Sequence, residues 1–220
     1  MWGACDACID AGGRIMARPR DSSSPKSEKV AEHYASGYEA KRLYTATGKL
    51  DRERSRELLT RFLPHAPARI LDVGGGPGGH ACWLAKQGYE VHLTDITPLH
   101  VQLAKEASQK QPEAPLRSTS IGDACSLAWN DETMDAVLLF GPLYHLTDKR
   151  DRITALQEAH RVLKQDGILL AIGISRFAST FDGLRKSFLK DPRFAEIVRR
   201  DLTSGQHRNP TGEPDRKSVV

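Results

Sequence analysis

Apolar residues in this chain fall into two kinds of block: short, nearly continuous runs, and longer stretches in which they recur every three or four positions. The runs Ala68–Val73, Glu90–Thr94, Leu116–Ile121, Asp135–Phe140 and Ile168–Ser175 predict buried strands, the third weakly, with Gly167 opening the last. Between them lie helical patterns. Residues 28–63 read as helical, with an apolar stripe at Leu58, Leu59, Phe62 and Leu63 stopped by Pro64. Gly79–Lys86 reads as a helix closed by Gly88. Thr97 caps the next, with Pro98 in its first turn and Val101, Ala104 and Ala107 toward the sheet. Pro112 and Pro115 make the following break. Arg150–Leu163 predicts a helix with Ile153, Leu156, Ala159 and Leu163 on one face. Strands that alternate with helices imply an α/β fold: a doubly wound parallel sheet covered on both faces, with right-handed crossovers.

The two ends depart from this rhythm. Residues 1–27 have no periodicity and include Asp21-Ser22-Ser23-Ser24-Pro25, which predicts a flexible leader, with Met16 as a candidate natural start. After residue 175, Phe177, Phe181, Leu184, Phe188 and Leu189 suggest one amphipathic helix and Ala195–Leu202 another, with no further strand. The organisation expected is therefore a leader (1–27), a core with N-terminal helices (28–175), a helical insert or substrate region (176–214) and a tail (215–220).

Composition narrows the class without changing that picture. The 220 residues are 39% hydrophobic and 27% charged, ordinary for a globular domain. A formal charge of +4 is too small and too dispersed to call for nucleic acid as a partner. No apolar run approaches the roughly 20 residues that span a bilayer, so no membrane is expected. Asp6 and Asp10 interrupt any signal-peptide core. Cys5 and Cys8 form one C-x-x-C with no second pair, so no metal site is expected; Cys82 and Cys125 read as buried thiols of a reducing, cytoplasmic protein.

The candidate chemistry sits in Asp72-Val73-Gly74-Gly75-Gly76-Pro77-Gly78-Gly79, between the first core strand and its helix. In a doubly wound sheet this turn lies at the carboxyl end of the strands, where ligands bind. Glycines there let a ligand reach the backbone, and the following helix points N–H groups at an anion. Gly74, Gly76 and Gly79 also fit G-x-G-x-x-G, so a dinucleotide site stays open, and Asp95 suits the ribose of either cofactor. Three features favour a cationic ligand with an adenine. Asp72 would repel a pyrophosphate but suits an ammonium. Gly122-Asp123-Ala124 gives an acid for an adenine amino group. The block Phe140-Gly141-Pro142-Leu143-Tyr144-His145-Leu146 precedes a helix ending Arg161-Val162-Leu163-Lys164, then Asp166-Gly167 and a strand.

Taken together these residues resemble the class I methyltransferases that use S-adenosylmethionine (SAM), over roughly residues 30–210. Asp72 to Gly78 matches D-x-G-x-G-x-G, and Asp95, Asp123 and Arg161–Gly167 follow in order. Within that superfamily the chain is similar to bacterial small-molecule methyltransferases of the ubiquinone-biosynthesis type. The resemblance implies a Rossmann-like sheet, here with about five of the usual seven strands. It implies a small-molecule methyl acceptor and SAM as cofactor, bound by Asp72, Gly74, Gly75, Gly76, Asp95, Ile96, Asp123, Ala124, Phe140 and Gly141; it does not fix an oligomeric state. Gly74 and Gly76 would pass the methionine part, Asp72 orient its amino group, Asp95 bind the ribose hydroxyls and Ile96 pack on adenine. Asp123 and Ala124 would meet the adenine amino group, and Phe140 and Gly141 line the sulfonium pocket. Each acid also has a plain reading, as a turn or capping carboxylate.

For catalysis, His145 and Tyr144 sit where a general base is wanted, although a histidine bracing the loop by hydrogen bonds is the plainer reading of His145. Gly141-Pro142-Leu143-Tyr144 lacks the Asp/Asn-Pro-Pro-Tyr/Phe of enzymes that methylate DNA amino groups. Tyr34, Tyr38, Arg42 and Tyr44 are candidates for a lid. The alternatives are an NAD(P)-dependent oxidoreductase and a non-catalytic or truncated SAM-binding fragment. The last is raised by the end of the chain. Asp215-Arg216-Lys217-Ser218-Val219-Val220 is what GATCGGAAGAGCGTCGTG encodes, a string matching a common sequencing adapter. The expectation is a C-terminal truncation that leaves the fifth strand as an apolar edge, with poor solubility and little activity.

Overall fold

The computed structural model describes residues 46–205 and, before them, a short antiparallel pair, β1 (Cys8–Ile9) with β2 (Ile15–Met16). That pair falls in a stretch where the sequence predicts no element. The rest of the expected leader, residues 28–45 with Tyr34, Tyr38, Arg42 and Tyr44, and residues 206–220 lie outside the described residues.

The main sheet has five parallel strands, β3 (Arg69–Val73), β4 (Glu90–Asp95), β5 (Ser118–Ile121), β6 (Met134–Leu139) and β7 (Leu163–Ala171), in the order β5-β4-β3-β6-β7. Helices α1 (Ala46–Phe62), α2 (Gly79–Lys86), α3 (Pro98–Gln109), a short α4 (Pro142–His145), α5 (Lys149–Val162), α6 (Ala178–Arg185) and α7 (Pro192–Ser204) complete it, with a 3-10 turn at Phe188–Lys190. The expected α/β class therefore holds. From β3 the chain moves outward through β4 and β5, then returns to β6 on β3's other side. The reversal opens a crevice at the carboxyl ends of β3 and β6, where doubly wound sheets bind ligands.

Two cores flank the sheet. One joins Leu59, Ile70, Leu84, Val91, Leu93, Ala104 and Leu138 beneath α1, α2 and α3; the other joins Leu71, Val73, Met134, Val137, Leu139, Ala155, Ala159 and Val162 beneath α5. Side chains alternate across a strand, so Asp72 shares Ile70's face and points under α2 and α3.

Four expectations need correction. Phe62 is exposed; of the expected stripe, Leu59 on α1 and Leu63 just past its end are the buried members. On α5, Ile153 and Leu156 are exposed; Ala155, Ala159 and Val162 face the sheet, because small side chains let the helix approach it. β7 begins at Leu163, opposite Met134, and its pairing resumes at Ile168 opposite Ala136 after a bulge containing Asp166 at φ 63. Finally, Phe177, Phe181, Leu184 and Phe188 do not line a buried helix face; all four are exposed, and α6 packs through Ser179 and Gly183. Among the described residues no strand pairs with the outer side of β7.

Candidate active site

The loop after β3 is built around its glycines. Gly74 N–H reaches back to Thr94 O at 2.7 Å, which bends the chain off the strand. Gly75 rides directly on Asp72: a Cβ there would lie 2.7 Å from Asp72 Oδ2 and 2.7 Å from Leu93 Cδ1, so no side chain fits. Gly76 has φ +55, and a Cβ on it would meet nothing within 4 Å. The backbone at Gly76 therefore faces open space on the crevice side, the shape of a cradle that a ligand fills.

Two buried carboxylates underlie this cradle. Asp72 is 2% exposed, and its pKa is raised from 3.8 to about 7, first by burial and then by the neighbouring Asp95 charge. No hydrogen bond from a described residue relieves it. Asp95, at the end of β4, is buried as well, yet its pKa is lowered. Burial pushes it up, but hydrogen bonds outweigh burial. His100 Nδ1 lies 3.2 Å from Oδ1, Thr97 N–H donates to Oδ1 at 2.8 Å, and Gly76 N–H donates to Oδ2 at 2.9 Å. One acid is thus satisfied and ionised, and the other is an unrelieved acid poised near neutrality.

The other walls come from β5 and β6. Gly122 N–H donates to Asp95 O at 3.1 Å, which brings the Asp123–Ala124 turn beside the end of β4. Asp123 Oδ1 accepts Cys125 N–H at 2.9 Å, and Ala124 is buried. After β6, a Cβ on Gly141 would lie 3.2 Å from Gly74 O, and one on Gly74 would lie 2.8 Å from Pro142 Cδ. The loops after β3 and β6 therefore touch. Tyr144 donates its hydroxyl to Phe140 O at 3.0 Å, and its ring lies 4.7 Å from that of His145.

A family model described as a methyltransferase domain matches residues 71–171, the span from β3 to the end of β7. The ubiquinone/menaquinone biosynthesis C-methyltransferase of Acidiphilium cryptum is 30% identical over 159 residues, covering 72% of this chain and 62% of that one. The glycine/sarcosine N-methyltransferase of Parasynechococcus marenigrum is 32% identical over 162 residues, covering 69% of this chain and 55% of that one. A solved SAM-dependent methyltransferase from Methanosarcina mazei superposes with a TM-score of 0.56 at 25% identity, covering 74% of this chain and 76% of that one. Over residues 71–171 the chain matches the methyltransferase-domain family, and in sequence and fold it is similar to class I SAM-dependent methyltransferases. The chain spans roughly three-fifths of the length of the curated relatives it matches, with 58% and 62% of two of them covered.

In this chain, Asp72, Gly74, Gly75, Gly76, Asp95, Ile96, Asp123, Ala124, Phe140 and Gly141 all lie at or just beyond the carboxyl ends of adjacent strands. Their roles toward a ligand are taken up below. Sequence reasoning missed two groups, His100 and His80, and the partners of a third, Arg161. His100, on the first turn of α3, reaches Asp95. His80, next to the loop, stands edge-on to Phe140 with ring centroids 5.7 Å apart. Its pKa is lowered to about 4, first by burial and then by the charges of Arg56 and Arg52, so it is neutral at physiological pH. Arg161 binds Glu158, Asp131, Leu127 O and Trp129 O at 2.7 to 2.9 Å, and Glu158 accepts Leu127 N–H. It ties the connection between β5 and β6, which carries Asp123, to α5. No spacing in the sequence announces these partners, because each contact joins separate elements. Among the described residues no cluster of His, Cys, Asp and Glu could hold a metal ion, and no helix is long and apolar enough to cross a membrane.

Proposed function

We propose that this chain transfers the methyl group of SAM to a small-molecule acceptor. The observation that carries the reading is Asp72: a buried acid with no hydrogen-bond donor among the described residues, directly beneath Gly75 in a glycine loop whose next residue, Gly76, faces open space. Such a group favours a cation. SAM carries an ammonium and a sulfonium, whereas the pyrophosphate of a dinucleotide would bring negative charge against Asp72 and Asp95 together.

On this reading Asp72 holds the methionine ammonium, and the backbone at Gly74, Gly75 and Gly76 lies along the methionine part. Asp95 takes the ribose diol and Ile96 packs on the adenine. Asp123 and the Ala124 backbone meet the adenine amino group, while Phe140 and Gly141 line the space around the sulfonium. SAM supplies an activated methyl group, so the protein's task is alignment and exclusion of water. His145 and Tyr144 are the candidates for moving an acceptor proton. The Tyr144 hydroxyl is already donated to Phe140 O, which suits it to shaping the wall and leaves His145 the better base. Residues 28–45 and 176–214 are the candidate lid and acceptor regions. Relatives are named for methylating a carbon and for methylating an amine nitrogen, and either kind of small acceptor suits the reading. The half-buried cysteines Cys82 and Cys125 suit a reducing cytoplasm.

The test is transfer of label from methyl-tritiated SAM to fractionated small metabolites. Label in a discrete product is the expected result; SAM bound with no transfer to any fraction would leave a binding protein, not an enzyme.

A further inference from the structure

The carboxylate of Asp95, at the end of β4, is steered by a neighbour on the next helix, α3. A carboxylate offers about four acceptor positions. Three are in use: Oδ1 takes Thr97 N–H at 2.8 Å and faces His100 Nδ1 at 3.2 Å, while Oδ2 takes only Gly76 N–H at 2.9 Å. Both Asp95 and His100 are buried. An ionised carboxylate can only accept, so the proton between them sits on Nδ1, and the imidazole donates. Without His100 each oxygen would keep a single donor, Thr97 N–H on Oδ1 and Gly76 N–H on Oδ2. Thr97 and His100 together fix Oδ1 from two directions and turn Oδ2 toward the glycine loop.

We propose that His100 is a positioning residue for cofactor ribose recognition: it locks Oδ1 of Asp95 so that Oδ2 faces the ribose diol. This rests on the reading of Asp95 as the ribose acid. A diol brings O–H donors, and Oδ2 has an acceptor position open beside Gly76 N–H. Oδ1 does not, because it is held by two donors of the protein. His100 touches no reacting atom; it acts through Asp95.

Calorimetric titration of the full chain tests this with two probes: S-adenosylhomocysteine, and its analogue with both ribose hydroxyls replaced by hydrogen. Wild type should prefer S-adenosylhomocysteine. His100→Leu should weaken S-adenosylhomocysteine about tenfold, the scale of one charge-assisted hydrogen bond, and change the analogue by less than about twofold. His100→Asn, whose amide nitrogen branches from the same carbon as Nδ1, should restore most of the loss. Should His100→Leu fail to fold, His100→Gln takes its place and must show the same selective loss. Equal weakening of both probes would make His100 a packing residue and overturn the proposal, as would no change in either. If wild type binds neither probe, the cofactor reading fails and this proposal with it. If wild type binds and discriminates while the variant discriminates equally well, only the role of His100 falls.

Discussion

Replacing Asp72 by Asn should make the ligand-free protein more stable at neutral pH while weakening its hold on a cationic cofactor. Asp72 has a folded pKa of about 7 against 3.8 for an ordinary aspartate. Its protonated form suits the folded protein, so its contribution is complete below pH 3.8 and is lost as pH rises to 7. Above pH 7 the fold carries a buried, unrelieved carboxylate at a cost of about 4 kcal/mol. Between pH 5 and pH 8 the change is about 3 kcal/mol. His80 works in the opposite direction: its pKa is lowered to about 4, so the stability it gives above pH 6.5 is lost as pH falls toward 4. Both proteins share His80, and it cancels in their difference. Guanidinium unfolding of wild type and Asp72→Asn at several pH values gives that difference directly. The gap between them should shift by about 3 kcal/mol in favour of Asn from pH 5 to pH 8. Two pH profiles that run parallel would refute the reasoning, because they would mean that Asp72 titrates alike in the folded and unfolded chains. The same group predicts that S-adenosylhomocysteine binds wild type more tightly as pH rises through 7, and that Asp72→Asn flattens this dependence.

Neighbouring glycines should respond differently. Gly76→Ala places a methyl in open space at positive φ, so it should cost only about 1 kcal/mol of stability but reduce S-adenosylhomocysteine affinity at least tenfold by calorimetry. Gly75→Ala drives its methyl against Asp72 and Leu93, so its chief effect should be a fall in the unfolding midpoint, even without ligand. Arg161→Met removes donors from Leu127 O, Trp129 O and Glu158 and should cost about 3 kcal/mol, read by chemical denaturation; a loss below 0.5 kcal/mol would show that the β5–β6 connection does not depend on it. Phe181 is 69% exposed, so Phe181→Ser should change stability by no more than about 0.5 kcal/mol; a loss of several kcal/mol would mean that this face is covered in solution.

The sheet was largely legible because parallel strands are buried on both faces and so appear as unbroken apolar runs. Gly79–Lys86 was read to the residue, since left-handed glycines flank it at 78 and 88. The start of β7 was not, because Lys164, Gln165 and Asp166 give a polar bulge where a run was sought. The faces of α5 and α6 were misjudged for a common reason. Hydrophobicity says which side chains favour burial, but on these short helices size decided which could lie closest: Ala155 and Ala159, Ser179 and Gly183. At the site, Asp72 and the glycines announced themselves by adjacency along the chain. The raised pKa of Asp72 did not, because it depends first on burial beneath a loop that folds back on it and then on the charge of Asp95 at the end of the paired strand β4. His100 was silent too: a histidine in the first turn of a helix carries no spacing signature until the strand end it faces is known.

The central claim is that the glycine loop and its two carboxylates accept SAM and not a dinucleotide. Calorimetric titration of the full chain with S-adenosylhomocysteine, NAD and NADP at pH 8 tests it most directly. The account predicts one saturable site for S-adenosylhomocysteine and no detectable heat from either dinucleotide. Saturable binding of NAD or NADP, with none of S-adenosylhomocysteine, would contradict it.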